Sequence, residues 1–170
     1  MKLSKITIGW GIYIVISASF ILQINLWLIA KVTDQFLAGS FWVFSVLVML
    51  AALAYALRQR LGVLRLLAAL GVFALAYLLA TRQAYFAEKT HILSYGLLGY
   101  LAARDLVGVN GAERLKGIAL VAGFVVVVSL ADEVFQWAPP YRFCELNDVM
   151  TNIIGGVLGM GLFLALRKRQ

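Results

Sequence analysis

Three short stretches of this 170-residue chain hold residues whose types and spacing could do chemistry. Asp132, Glu133 and Gln136 follow the apolar run V121-A-G-F-V-V-V-V128. Glu88, His91 and Tyr95 are spaced three and four apart, so on a helix they share one face. Asp148 and Asn152 are four apart and follow Arg142. His91 is the only histidine, and an imidazole can carry a proton near neutral pH. Glu88 or Asp132 beside it would hold its tautomer. Arg142 offers a planar fork that can bind two phosphate oxygens. The set is one for acid–base work, with His91, Glu88, Asp132 and Glu133 as candidate catalytic groups. Arg142, Gln136, Asp148, Asn152 and Tyr95 are the candidate binders.

Each residue also has a plainer reading. His91 could be a polar latch between two helices. Asp132 and Glu133 point about 100° apart on a helix, so only one is expected to face a cavity squarely while the other pairs with Arg142 or meets head groups. Arg142 could bridge Asp148 or Glu145 and fix a loop. Asp148 and Asn152 could simply cap and pack a helix.

Other chemistries lack their signatures. There is no HExxH or comparable ligand spacing, and no metal site is expected. No serine sits in a nucleophile elbow and no glycine-rich nucleotide loop occurs, so no cofactor is expected. Cys144 is the single cysteine, which excludes an intramolecular disulfide. A net charge of +7 with no basic patch interleaved with aromatics gives no nucleic-acid surface.

The elements that must position these residues are membrane helices. The chain is 63% hydrophobic with a mean hydropathy of +0.92. Charged residues make up 14%, against about 25% in soluble domains. A spanning helix needs about 20 largely apolar residues. Six segments fit, at 6–30, 41–57, 64–81, 87–103, 117–137 and 149–166, and short connections make neighbours antiparallel. The expected fold is one all-α domain over 1–170, a bundle of about six transmembrane helices. The first apolar run continues to Ala30, too long for a signal-peptide core, so an uncleaved first span is expected.

Lysine and arginine set the orientation. Lys2, Lys5, Arg58, Arg60, Arg65, Arg104, Arg114, Lys116, Arg167, Lys168 and Arg169 fall on the side of the termini, eleven in all. Lys31, Arg82, Lys89 and Arg142, four in all, fall on the other. Both termini are therefore expected in the cytoplasm. Trp27, Phe41, Trp42, Tyr85, Phe86, Trp137 and Tyr141 collect near the outer interface, where amphipathic rings favour the head-group level.

In this arrangement the three polar clusters meet in the outer leaflet. Asp132 lies about 7.5 Å deeper than Trp137 at 1.5 Å per residue. Ionisable groups within a membrane face a bundle interior or a wet cavity. The expectation is an outward-open cavity holding His91, Glu88, Asp132, Glu133, Gln136, Arg142, Asp148 and Asn152, with Gln23 and Asn25 joining its wall. G155-G-V-L-G159 is a GxxxG-type packing face, and Gly96 and Gly99 could serve the same end.

The motifs E88-K-T-H91-I-L-S-Y95-G-L-L-G99, D132-E-V-F-Q136 and R142…D148…N152…G155…G159, in that order, resemble the VanZ-like membrane proteins. The likeness covers about 88–160. The stretch Pro139-Pro140-Tyr141-Arg142 departs from it, since the family commonly has a glycine just before the arginine. The resemblance implies a bacterial inner-membrane protein, with the name-giving member linked to low-level teicoplanin resistance. It also implies kinship with lipid head-group enzymes, and so membrane lipids or lipid-linked cell-wall precursors as partners. Three functions stay open at this point: an enzyme of hydrolysis or head-group transfer, a non-catalytic lipid- or antibiotic-binding protein, and an accessory subunit bound to other membrane proteins. A transporter fits less well, because the polar groups gather on one side of the membrane.

Overall fold

The computed structural model describes residues 2–83, 86–108, 110–137 and 146–167. Among them there are six α-helices and no strand: α1 (Lys5–Lys31), α2 (Asp34–Arg58), α3 (Val63–Arg82), α4 (Phe86–Leu106), α5 (Gly111–Trp137) and α6 (Leu146–Leu166). Four contain segments long and apolar enough to cross a membrane, namely Gln35–Arg58, Val63–Arg82, Gly111–Gln136 and Leu146–Leu166. The first helix contributes a shorter apolar stretch, Lys5–Ser17. α4, which carries Glu88, Lys89, His91, Arg104 and Asp105, is not among the four.

Helix ends are set by capping chemistry, which shifts them from the hydropathic limits. Ser4 caps α1 by accepting from Thr7 N at 3.3 Å. Thr33 caps α2 by accepting from Phe36 N at 3.4 Å, so α2 begins seven residues before the apolar run at Phe41. α5 likewise starts at Gly111 rather than 117, because Ala112–Lys116 are good helix formers that continue the turn. α2 stops in a Schellman motif: Leu61 N donates to Ala56 O at 3.0 Å and Arg60 N to Leu57 O at 2.9 Å. Arg60 takes the left-handed conformation there, φ 51°, at a position where glycine is usual.

Consecutive helices alternate in direction. At one end, Asp105 of α4 accepts from Ser4 N at 2.8 Å and from Thr7 Oγ1 at 2.5 Å. Arg167, just past α6, donates to the carbonyls of Val107 and Gly108 at 2.8 and 2.9 Å, while Arg65 of α3 donates to the Arg167 carbonyl. At the opposite end Phe41 of α2 meets Phe86 of α4 edge-on at 6.3 Å.

α4 and α6 run parallel and share the largest interface. Glycines make it possible. A Cβ on Gly99 would run into the Gly156 carbonyl oxygen, and one on Gly159 into that of Gly96. Small residues allow backbones this close approach. Val125 of α5 closes on the same point, where a Cβ on Gly156 would come within 2.9 Å of Val125 Cγ2. Around it lies the main core, including Ile14, Tyr95, Leu98, Val121, Val125 and Met160. The candidate site stands on this three-helix junction.

Candidate functional site

Tyr95 (α4), Asp132 (α5) and Asn152 (α6) come together at the interior of the junction, each 0% exposed. The Tyr95 hydroxyl donates to Asp132 Oδ2 at 2.9 Å. Asn152 Nδ2 approaches the same oxygen at 3.5 Å. His91 stands one turn from Tyr95, its ring stacked on the tyrosine ring at 6.3 Å and 19°. Its Nδ1 is 3.1 Å from Asn152 Oδ1 and 3.8 Å from Asp132 Oδ2. The i, i+4 step from His91 to Tyr95 puts both on the side of α4 that faces α5 and α6.

The hydrogen positions follow from what each group can do. The amide nitrogen of Asn152 turns to Asp132 and its oxygen to His91. An amide oxygen only accepts, so the hydrogen between it and the imidazole sits on Nδ1. A neutral His91 then keeps its lone pair on Nε2. Burying a carboxylate without donors is costly; here a phenol and an amide from two other helices supply them.

Beside this cluster, α1 and α4 part to leave a cleft of about 190 Å³. Tyr13, Ile14 and Ser17 form one wall, and Thr90, His91, Ser94 and Tyr95 the other. The His91 side chain is 17% exposed, whereas that of Asp132 is fully covered. The imidazole is thus part-exposed at the cleft, where Asp132 is not. At the cleft's edge Trp10 Nε1 donates to the Ser94 carbonyl at 3.0 Å and pins α1 to α4.

A family model for VanZ/LLP1 proteins matches residues 7–167. The chain belongs to the VanZ/LLP1 family. No curated protein and no solved structure matches it. The VanZ/LLP1 match reaches well beyond the motif region at 88–160 and takes in α1, so Tyr13 and Ser17 fall inside the family domain. With its apolar helices, this VanZ/LLP1 chain is a multi-pass membrane protein.

Not every candidate joins the cluster. Glu133 and Gln136 are 2% and 1% exposed, so both adjacent carboxylates of α5 are covered. The expected choice between an inward and an outward carboxylate does not arise, because α5 is packed by α1, α4 and α6 together. Glu88 and Asp148 are half-buried. Arg142, Glu145 and Cys144 lie outside the described residues, as does the side chain of Asn25. Gln23 is exposed; the α1 wall of the cleft comes instead from Tyr13, Ile14 and Ser17, nearer the N-terminus. Among the described residues, the candidates that come together form a buried cluster with an adjoining cleft. Tyr13, Ser17, Thr90 and Ser94 were not singled out by spacing to charged residues. Their signal is the pair of i, i+4 hydroxyl steps, Tyr13–Ser17 and Thr90–Ser94. Among the described residues no three His, Cys, Asp or Glu side chains gather as a metal-binding group.

Proposed function

We propose that this VanZ/LLP1 protein sits in the bacterial inner membrane with six spans and both termini in the cytoplasm. Its reactive site is the His91–Asn152–Asp132–Tyr95 cluster, acting from the extracytoplasmic leaflet on a lipid head group or a lipid-linked cell-wall precursor. The observation that carries this reading is that four polar side chains from three helices converge, and the part-exposed imidazole stands at an open cleft that Tyr95 also lines. His91 Nε2 takes the proton of water or an acceptor alcohol as that oxygen bonds to phosphorus. The leaving alcohol then receives the proton. Arg142, Gln136 and Asp148 are the residues assigned to bind the phosphate; Glu88 and Glu133 tune the charge around His91. Family membership supports the link to glycopeptide resistance.

Turnover in proteoliposomes of phosphatidylglycerol and phosphatidylethanolamine made up in H₂¹⁸O tests it. Hydrolysis puts ¹⁸O into the phosphate-bearing product, transfer does not, and His91→Ala stops both. Equal product from His91→Ala would reject the mechanism. The complete burial of Asp132 and Asn152 favours a second reading, a non-catalytic binding protein or accessory subunit whose cluster latches three helices. That protein gives no product, labelled or unlabelled.

A further inference from the structure

The α1–α4 cleft has a chemistry of its own. Among the described residues, those that line it are Tyr13, Ser17, Thr90 and Ser94 with their hydroxyls, one aliphatic side chain, Ile14, the His91 imidazole, and Tyr95, whose hydroxyl is given to Asp132. None of the lining residues is a lysine, arginine, aspartate or glutamate. Its volume, about 190 Å³, is below the roughly 300–1,000 Å³ of sites that enclose a whole drug-sized ligand. It therefore takes a fragment, and the rest of the ligand stays outside. What lies outside is apolar: Tyr13 is 53% exposed, and Ile12 and Ile16 on either side are 54% and 53% exposed.

Depth narrows the choice further. Ser17 lies about 18 Å along α1 from Lys5, and His91 about 7.5 Å along α4 from Phe86, at 1.5 Å per residue. In the membrane placement proposed above, both fall within a hydrocarbon layer about 30 Å thick. A phosphate enclosed by the cleft itself loses its hydration and finds no cation among the lining residues. A hydroxyl loses less, because a wall hydroxyl can accept its hydrogen, as Ser17 can while its own goes to the Ile14 carbonyl at 3.0 Å.

We infer that the α1–α4 cleft is a binding site for the uncharged alcohol-bearing end of a lipid, with the acyl or prenyl chains leaving sideways past Tyr13. This rests on the membrane placement and the His91 site proposed above, and it deepens that reading. An uncharged lipid alcohol is one partner where the bond broken or formed joins phosphorus to the lipid's own oxygen, and the cleft brings that alcohol against His91. Diacylglycerol and polyprenol share the recognised group.

Lipid retention tests this without requiring turnover. The full-length protein in phosphatidylcholine nanodiscs is exposed to dioleoylglycerol, a C55 polyprenol or dioleoylphosphatidate, washed, and analysed by native mass spectrometry. The expected result is at least five-fold greater retention of one or both alcohols than of phosphatidate. Ser17→Leu, which fills the cleft, should abolish the difference, and Ser94→Ala, which removes a hydroxyl without adding bulk, should reduce it. The two alcohols separate glycerolipid from isoprenoid selectivity. Equal or greater retention of phosphatidate, or selectivity that both substitutions leave unchanged, would overturn the inference. Should Ser17→Leu not fold, Ser94→Ala decides alone. His91-dependent turnover without alcohol selectivity would remove this site and leave the chemistry. Alcohol selectivity without turnover would do the reverse.

Discussion

Asp132 draws donors from two other helices onto one oxygen, and Tyr95 gives the shorter bond, 2.9 Å against 3.5 Å from Asn152. Hydrogen bonds to charged groups are worth about 1.5–3 kcal/mol, and a buried acceptor that loses its donor bears the desolvation cost in full. Tyr95→Phe keeps the ring and removes that donor. It should lower stability in detergent by about 1.5–3 kcal/mol. Because the two side chains share one bond, the effect should shrink when Asp132→Asn is already present. Additive losses in thermal unfolding would mean that the bond contributes nothing. A second carboxylate works at the far end of the bundle. Asp105 lies beyond the apolar run that ends at Ala103. Burial pushes its carboxyl up, but donors from Thr7, Ser4 and Arg104 outweigh this and hold it at about 2, below its usual 3.8. A depressed folded value means that the stabilisation is complete above about 3.8 and is lost as pH falls towards about 2. Asp105→Asn should therefore be less stable than wild type at pH 6, with the gap closing between pH 4 and pH 2. A gap independent of pH would show that packing, not charge, ties α1 to α4.

At the scale of elements, the site depends on how closely α4 and α6 approach. Gly96, Gly99, Gly156 and Gly159 let the two backbones touch, and the His91–Asn152 and Tyr95–Asp132 bonds form just beyond that contact. Gly159→Ala forces the Gly96 carbonyl away. It should cost at least the 1–3 kcal/mol typical of overpacking and spread the cluster. Gly123→Ala on α5, where a Cβ would meet nothing within 4 Å, is the matched control. Similar melting temperatures for the two variants would contradict close α4–α6 packing. Much of this was legible in the sequence. The three- and four-residue spacing of Glu88, His91 and Tyr95 already puts them on one face, and G155-G-V-L-G159 marks a close-packing face. Helix starts were less legible, because Thr33 and the helix-forming Ala112–Lys116 extend α2 and α5 past their apolar runs. The cleft was not legible at all. Ser17 and Ser94 look like any hydroxyl on an apolar helix until α1 is laid across α4, and local periodicity says nothing about that crossing.

The whole molecule gathers its polar chemistry at the α4–α5–α6 junction and leaves α2 and α3 at the margin. Only 11% of the spanning window of each is buried, so most of their surface is left for lipid or for another protein. Arg58, Arg60, Arg65, Arg104 and Arg167 all belong to the end that holds Ser4, where the charge bias in the sequence puts the cytoplasm. Composition alone makes this a membrane protein, and the VanZ/LLP1 match extends that from a motif region to nearly the whole chain. The exposure of each polar group is a property of the assembled junction, which is why residue spacing could nominate Asp132 and Asn152 yet could not reveal that both are fully buried while His91 is part-exposed. The most direct test of the reactive-site account is untargeted lipid mass spectrometry on purified protein incubated with native membrane lipids, wild type beside His91→Ala, both verified as folded. The account predicts a new lipid species, or the loss of one, with wild type alone. Identical profiles from both proteins would contradict it and leave the junction as a structural latch.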